Sequence, residues 1–196
     1  MTAPPAAPAS PATDVREQVA MRIFDGLWRA WATYGLAATL FAIHIFVGLH
    51  PYYRGRWSPI QVLIWPRGTW LLARFGSMRS KAVDRGELWR LVSAGFLHVD
   101  GLHFAVNLVG LLLVGRVVEA VFGPARTIAL FVIATMGGTT LSWLVGGTAS
   151  SVGASGGIFG LMGAAVYFGW TRASDLPDDV SRVLKRRLTI IVVLNL

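Results

Sequence analysis

The sequence predicts an all-α fold, a polytopic membrane helix bundle with four complete spans and the start of a fifth. Of its 196 residues, 54% are hydrophobic and 14% are charged, and the mean hydropathy is +0.56. Soluble domains carry about 25% charged residues, so this balance indicates a membrane protein. Long apolar runs alternate with basic or glycine-rich connections. The chain has no cysteine, which excludes disulfides, thiolate metal sites and cysteine nucleophiles.

The formal net charge of +8 raises the question of nucleic-acid binding. The basic residues, however, are scattered between the apolar runs and do not follow one helix or ribbon. Contact with the anionic head groups of a lipid bilayer explains this distribution more simply. We therefore expect a lipid partner and no nucleic acid.

Residues 1–29 are predicted to precede the membrane domain. The first 13 are rich in proline and alanine, which predicts a disordered tail. Residues 14–29 combine mixed charges with apolar residues at helical spacing, which is typical of an amphipathic helix at the cytoplasmic membrane surface. Residues 30–196 are then one transmembrane domain.

Four apolar runs are predicted to cross the membrane, because about 20 helical residues span a hydrocarbon core of about 30 Å. The Gly123-Pro124 pair ends the second of them. Gly137-Gly138 lies inside the third and indicates close helix packing or a kink. The runs are Ala30–Leu49, Leu102–Phe122, Thr127–Val145 and Ser155–Trp170.

The connection Pro51–Asp100 contains apolar patches too short to span, interrupted by arginines. Its tryptophans, among them Trp65, Trp70 and Trp89, are distributed like interfacial anchors, which predicts a loop in the head-group region. The basic segment Thr171–Arg187 favours a cytoplasmic position. By alternation, the amino terminus is then cytoplasmic and the long connection lies outside.

A fifth apolar run begins at Leu188 and the chain ends at Leu196. Nine helical residues cover only about 14 Å, less than half of a bilayer. We therefore expect a transmembrane domain that is incomplete at its carboxyl end.

Candidate chemistry concentrates where the second and fourth runs begin. These runs enter from the same side of the membrane, because one full span separates them. His103 and Asn107 are four residues apart and share a helix face, and Ser155 opens the fourth run. The three side chains are therefore predicted to lie at similar depth.

The glycines around Ser155 suit a nucleophile. Gly153 and Gly156 would leave room for a substrate backbone to reach the hydroxyl. Unpaired backbone N–H groups at a helix start would stabilise a developing oxyanion, and His103 and Asn107 would add donors.

Structural alternatives exist for each of these residues. Ser155 is equally suited to be a helix N-cap, and its glycines could serve packing alone. Asn107 could bond a neighbouring helix. Arg116 and Glu119 have the spacing of a structural ion pair, and His44 is expected to be a packing or interfacial histidine. Polar groups at membrane depth nevertheless tend to be functional or paired.

At these residues the chain resembles the rhomboid family of intramembrane serine proteases. The resemblance covers residues 34–196 and rests on an ordered set of features, none of which is specific alone. They are Trp89-Arg90; His98-x4-His103-x3-Asn107; Gly115-x3-Glu119-x3-Gly123; Gly153-Ala154-Ser155-Gly156; and the glycine-lined helix that follows.

The resemblance implies a six-helix core with a water-filled cavity open to the outside. Ser155 would be the nucleophile, and His103 and Asn107 would supply oxyanion donors together with the Ser155 backbone N–H. His98 would be a supporting polar residue, and Phe159 would pack on the catalytic imidazole. Trp89 and Arg90 would hold the first loop, which is the connection Pro51–Asp100, in the membrane, and Glu119 would brace helix-to-loop contacts. Substrates would be transmembrane segments of other proteins, and no metal or cofactor is implied.

The chain departs from the family in one respect. The family's general base is a histidine on the sixth helix, whereas the four histidines here are His44, His50, His98 and His103. A serine hydroxyl is a poor nucleophile without a base. We therefore expect the base to lie beyond Leu196.

Two other functions remain open. The first is a catalytically inactive rhomboid-like membrane protein that binds transmembrane clients, although such a protein need not keep Ser155, His103 and Asn107. The second is a small-solute transporter or channel, which lacks the expected repeat between halves. The absence of a signal peptide and the proline-rich start suggest a bacterial inner membrane.

Overall fold

The computed structural model describes residues 24–50, 58–145 and 150–172, together with the single residues 18, 21, 182, 185, 186 and 189. The predicted proline-rich tail, half of the amphipathic segment and almost all of the fifth apolar run lie outside the described residues. Among the described residues the chain is mostly helical, as the hydropathy pattern predicts.

Four long helices form the bundle: α1 (Trp31–Gly48), α6 (Gly101–Phe122), α7 (Pro124–Val145) and α8 (Ser155–Thr171). Among the described residues, three helical segments are long and apolar enough to cross a membrane: Phe24–Gly48, which includes α1, and the helices α6 and α7. The first three predicted runs are therefore confirmed as candidate spans. The fourth run is a helix of 17 residues, and its crossing of the membrane stays a prediction.

The connection between α1 and α6 contains more structure than the predicted loop. It holds four short helices, α2 (Pro59–Ile64), α3 (Thr69–Phe75), α4 (Ser80–Val83) and α5 (Arg90–Ser93), followed by a 3-10 turn over Ala94–Phe96. Local signals explain the first two. Gln61 Oε1 accepts the Ser58 backbone N–H at 2.8 Å before α2, and Gly76 ends α3 in a left-handed conformation with φ 104°.

A two-stranded antiparallel sheet is an exception to the predicted all-α class. The strand β1 (Met78–Arg79) pairs with β2 (Ser150–Ser151), which places Met78 opposite Ser151. This pairing joins the first loop to the segment that leads into α8. Each strand has only two residues, which is too short for an alternating apolar pattern to be recognised in the sequence.

The main core lies where α1, α6, α7 and α8 meet. Its fully buried side chains come from all four helices, and they are Leu40, Leu111, Val118, Phe131 and Leu161. The opposite faces carry exposed large apolar side chains, such as Val109 and Leu113 on α6 and Ile133 and Leu141 on α7. An apolar outer surface around an apolar core is what a bilayer requires.

Small residues bring α7 and α8 close together. A Cβ at Gly160 would clash with Ala134, and a Cβ at Gly138 would lie 3.2 Å from the Gly156 Cα. The predicted close packing is thus confirmed for Gly138, whereas Gly137 faces no atom within 4 Å. The absence of side chains lets the two backbones approach each other.

The predicted ion pair between Arg116 and Glu119 is wrong. The buried Glu119 carboxylate accepts the backbone N–H groups of Ala32 (2.9 Å) and Thr33 (2.7 Å) and the Thr33 hydroxyl (2.7 Å). Arg116 Nε donates instead to the Leu112 carbonyl at 2.7 Å. Glu119 therefore satisfies the first turn of α1, whose unpaired N–H groups and positive dipole end attract a carboxylate more strongly than a half-buried arginine does.

Gly115 makes this contact possible. A Cβ at Gly115 would lie 2.8 Å from Thr33 Cγ2, so only glycine lets α1 come close enough for Glu119 to bond. Glycine and glutamate one turn apart thus act together. The resemblance implied a brace between helix and loop, and the structure shows a brace between two helices.

We expect Glu119→Ala to lower the free energy of unfolding by about 2–4 kcal/mol, because it leaves buried donors of α1 without acceptors. Thr33→Val is the matched control. It removes only the hydroxyl donor and should cost about 1 kcal/mol. Thermal unfolding in detergent micelles measures both, and equal midpoints for the two variants would contradict the brace.

Candidate active site

Ser155 is the first residue of α8, and its side chain is exposed. The N-cap position is held by Ala154, and no side chain caps the helix. Among the described residues, the Ser155 hydroxyl makes no hydrogen bond within 3.5 Å, unlike an N-cap serine. The N-cap alternative therefore does not describe this serine.

Three polar residues meet at one cavity of about 340 Å³ between α6 and α8. His103 and Asn107 contribute from the first two turns of α6, and Ser155 contributes from the start of α8. Their meeting agrees with the prediction that both helices begin at the same depth. The rest of the wall is formed by apolar residues and glycine: Val106, Gly110, Ile158, Phe159 and Met162.

His103 is held at both its backbone and its ring. Asp100 is the N-cap of α6, and its Oδ1 accepts the His103 backbone N–H at 2.8 Å. The ring lies against Gly153, where a Cβ would be 2.8 Å from both His103 Cε1 and Nε2. Asp100 had no predicted role. Its signal was an aspartate just before a predicted helix, three residues ahead of His103.

Asn107 is buried and uses one of its donors inside α6. Its Nδ2 donates to the His103 carbonyl at 2.8 Å, and this bond to an acceptor fixes the orientation of the amide. The amide group carries two N–H bonds, so one donor remains for the cavity.

The two glycines nearest to Ser155 have close neighbours. Gly153 adopts φ +123°, which residues with a Cβ rarely adopt, and it faces the His103 ring. A Cβ at Gly156 would lie 3.5 Å from the Ala134 carbonyl oxygen of α7. Both glycines thus have close neighbours on the side where a Cβ would point, and their role in admitting a substrate backbone stays a prediction.

His98 lies behind the cavity and does not line it. Its side chain is 2% exposed, and its Nε2 accepts the Ala154 backbone N–H at 3.5 Å. Burial, with a smaller effect of the neighbouring His103, lowers the pKa of His98 to about 3. The ring is therefore neutral at physiological pH, which leaves Nε2 a lone pair for this bond. His98 supports the residue before Ser155.

His44 is the packing histidine that the sequence predicts. It is buried in α1, stacks on Phe104 at 4.2 Å between ring centroids, and shares a hydrogen bond of 2.9 Å with the Leu63 carbonyl. The His44 and His98 rings are arranged edge to face, with 6.3 Å between their centroids. Within the described residues, no group of three or more histidine and carboxylate side chains is arranged to hold a metal ion.

Trp89 and Arg90 organise the first loop from within. The Trp89 ring covers Gly76, where a Cβ would clash with it, and about half of the ring is exposed. The Arg90 guanidinium carbon lies over this ring, 4.6 Å from its centroid, and Arg90 donates hydrogen bonds to two carbonyls of the same loop. The exposed face of Trp89 agrees with an interfacial anchor.

Phe159 is the one apolar residue of the cavity wall that was named from the sequence, and four other wall residues were not. On α6, Val106 and Gly110 continue the helical face of His103 and Asn107, at steps of three and four residues. On α8, Ile158 and Met162 continue the face of Ser155 in the same way. Extending each polar face by one turn would have found them.

Comparisons with known proteins place the chain in a family. Residues 85–196, more than half of the chain, match the family model of the rhomboid domain. RHOMBOID-like protein 5 of Arabidopsis thaliana is 37% identical over 127 residues, and RHOMBOID-like protein 4 is 34% identical over 154 residues. Rhomboid protease GluP of Bacillus subtilis (strain 168) is 31% identical over 125 residues. No solved structure matches the chain significantly.

The chain belongs to the rhomboid family, which includes proteases. These alignments cover 64%, 77% and 64% of the chain, but only 40%, 37% and 24% of the respective relatives. The family and the apolar helices make it an integral membrane protein. Most of the relatives are plant or other eukaryotic proteins, so the predicted bacterial inner membrane is not supported.

We expect Gly153→Ala to lower the free energy of unfolding by about 1–3 kcal/mol, because the new Cβ requires a strained backbone and displaces the His103 ring. The control is Gly163→Ala in α8, which meets no atom within 4 Å. This control should raise helix stability by up to about 1 kcal/mol. Thermal unfolding followed by circular dichroism measures both, and changes of the same sign would contradict the packing of Gly153.

Proposed function

We propose that the full-length protein is an intramembrane serine endopeptidase with Ser155 as its nucleophile. The observation that supports this most strongly is the single cavity lined by Ser155, His103 and Asn107. A hydroxyl and two side-chain donors facing the same space are the components that acyl transfer needs. Membership of the rhomboid family agrees with the same chemistry.

The setting of Ser155 favours attack on a carbonyl carbon. Its hydroxyl is exposed to the cavity and engaged by no other described side chain or backbone group. The first intrahelical acceptor of α8 is the Ala154 carbonyl, which Ile158 N–H reaches at 3.0 Å. The N–H groups of Ser155 and Gly156 therefore precede the helical ladder, where they suit a developing oxyanion.

In the proposed reaction, the Ser155 Oγ forms a bond to the scissile carbonyl carbon while a base takes the hydroxyl proton. His103, the remaining Asn107 N–H and the Ser155 backbone N–H stabilise the resulting oxyanion. Collapse of this intermediate breaks the peptide C–N bond, and the base returns its proton to the leaving amine. Water then hydrolyses the acyl-serine and releases the hydroxyl.

The base is proposed to come from outside these 196 residues. His98 is a poor candidate, because it is buried and its Nε2 already accepts the Ala154 N–H. His103 cannot serve as donor and base in the same step. No histidine follows His103 in the sequence, and the chain spans less than half of each compared relative.

The proposed substrates are transmembrane segments of other membrane proteins. The cavity lies between two bundle helices, and the outer face of α6 is apolar next to it. We propose that α8 is the fourth span, since its 17 residues extend about 26 Å against a core of about 30 Å. The long connection before α6 then lies on the same side as Ser155.

One observation favours the second function, a catalytically inactive protein that binds transmembrane clients. No described histidine nitrogen lies within hydrogen-bond distance of the Ser155 hydroxyl, where a catalytic base would be expected. The two functions differ in whether Ser155 reacts, so chemical labelling distinguishes them.

We expect a serine-directed fluorophosphonate to label the full-length protein at Ser155 and to leave Ser155→Ala unlabelled, because the reagent requires an activated hydroxyl. Ser151→Ala, which removes a serine four residues earlier, should label like the wild type. Gel fluorescence and mass spectrometry measure the label. An unlabelled wild type would favour the inactive client-binding protein.

We expect His103→Ala and Asn107→Ala each to lower kcat for a transmembrane substrate about 10²-fold, as the loss of one oxyanion donor does. Leu141→Ala is the control, because Leu141 lies on the exposed outer face of α7 and does not line the cavity. Its kcat should stay within a few-fold of the wild type. An unchanged kcat in either donor variant would remove that residue from the oxyanion site.

A further inference from the structure

We infer that Arg90 is a positioning residue for Ser155, acting through the contact between the first loop and the segment that leads into α8. The catalytic consequence rests on the proposed function of Ser155, whereas the contact itself does not.

The segment 150–154 is held by the first loop at each step. Ser150 and Ser151 form β2 and pair with β1 of the loop. The Gly153 backbone N–H donates to the Ala94 carbonyl at 2.9 Å, and the Ala154 N–H donates to His98 Nε2 at 3.5 Å. Val152, which lies between Ser151 and Gly153, packs against the buried cluster that contains Leu71, Leu72 and Leu97 of the loop. The direction in which α8 starts, and with it the Ser155 hydroxyl, therefore depends on where this loop lies.

Arg90 fixes the loop at the point where β1 begins. Its Nη1 donates to the Ala73 carbonyl at the end of α3 (2.8 Å) and to the Ser77 carbonyl (3.1 Å). Ser77 immediately precedes β1 in the sequence. Glu87 orients the guanidinium by accepting Nε at 2.8 Å and Nη2 at 2.7 Å. Charge-assisted bonds from one planar group to two carbonyls leave the strand little freedom to shift.

Arg90 is also linked through the chain to the bond between the Gly153 N–H and the Ala94 carbonyl. Arg90 begins α5, and this helix runs into the turn that carries the Ala94 carbonyl. On the other side, the Thr139 hydroxyl of α7 donates to the Leu91 carbonyl at 2.5 Å. Arg90 thus joins β1, α5 and the carbonyl that holds Gly153. Loss of its two carbonyl contacts would let β1 shift while the bundle stays folded.

The chain has no cysteine, so a designed pair can report on this contact. Residues directly opposite in an antiparallel ladder have Cα atoms about 4.5–5.5 Å apart, within the range of a disulfide. Met78→Cys with Ser151→Cys should therefore cross-link rapidly in the 196-residue chain under mild oxidation. Met78→Cys with Ser150→Cys, which is offset by one residue, should cross-link about tenfold more slowly because its side chains face opposite ways.

Adding Arg90→Gln to the matched cysteine pair should slow cross-linking about tenfold. The free energy of roughly one hydrogen bond changes the equilibrium between paired and separated strands by about this factor. Adding Arg85→Gln is the control, because Arg85 is an exposed arginine of the same loop that bonds neither carbonyl, and this variant should cross-link like the parent pair. Circular dichroism identifies variants that fail to fold. If Arg90→Gln fails to fold, Arg90→Lys replaces it, because lysine keeps the charge and reaches a single carbonyl. Equal rates with and without the Arg90 substitution would overturn the inference.

The catalytic arm uses the full-length protein. Arg90→Gln should lower kcat with little change in KM, and the oxidised disulfide between positions 78 and 151 should restore kcat. Failure of the disulfide to restore kcat, when Arg90→Gln has lowered it, would overturn the positioning role. If the wild type cleaves nothing, the proposed function fails, while the cross-linking rates still decide whether Arg90 holds the strand.

Discussion

The site depends on how the first loop holds residues 150–154. Helix parity alone brings Ser155, His103 and Asn107 to one depth, but depth does not orient a hydroxyl. Orientation comes from a two-residue strand pairing and two backbone N–H bonds, to Ala94 O and His98 Nε2. The loop thus acts as a scaffold for the start of α8. Its exposed tryptophans agree with a second role at the membrane interface, without being needed for the first.

Buried polar groups in this bundle bond to the backbone of another element. Glu119 of α6 accepts the first N–H groups of α1, and Arg67 donates to the His44 carbonyl of α1 at 2.9 Å. Arg90 and His98 do the same for the first loop and for the start of α8. An unpaired backbone group in an apolar environment costs several kcal/mol, so each such contact stabilises the fold at a helix end or in a turn. The polar residues of the family motifs therefore divide into those that face the cavity and those that join helix and loop ends.

Residue spacing predicted helices reliably and contacts unevenly. The apolar runs ended within three residues of α1, α6, α7 and α8, because a membrane helix is specified by local composition. The spacing of Arg116 and Glu119 allowed an ion pair on one helix, but the Glu119 carboxylate accepts backbone N–H groups at the first turn of α1 instead. The glycines near Ser155 were predicted either to admit substrate or to pack. The structure shows that His103 lies close to Gly153 and that α7 lies close to Gly156, which a glycine in a sequence does not reveal. Access for a substrate stays a prediction.

By itself, the sequence determined the membrane class, the three candidate spans, and the convergence of Ser155 with His103 and Asn107. These follow from hydropathy and from the alternation of helix direction, which are properties of the chain taken in order. The tertiary structure decided what holds Ser155, what Glu119 and Arg90 bond to, and that Asp100 orients His103. Each of these is a hydrogen bond from a side chain or backbone N–H to an atom on another element or at a helix start. Such bonds depend on angles and on distances of about 3 Å, which residue spacing does not encode.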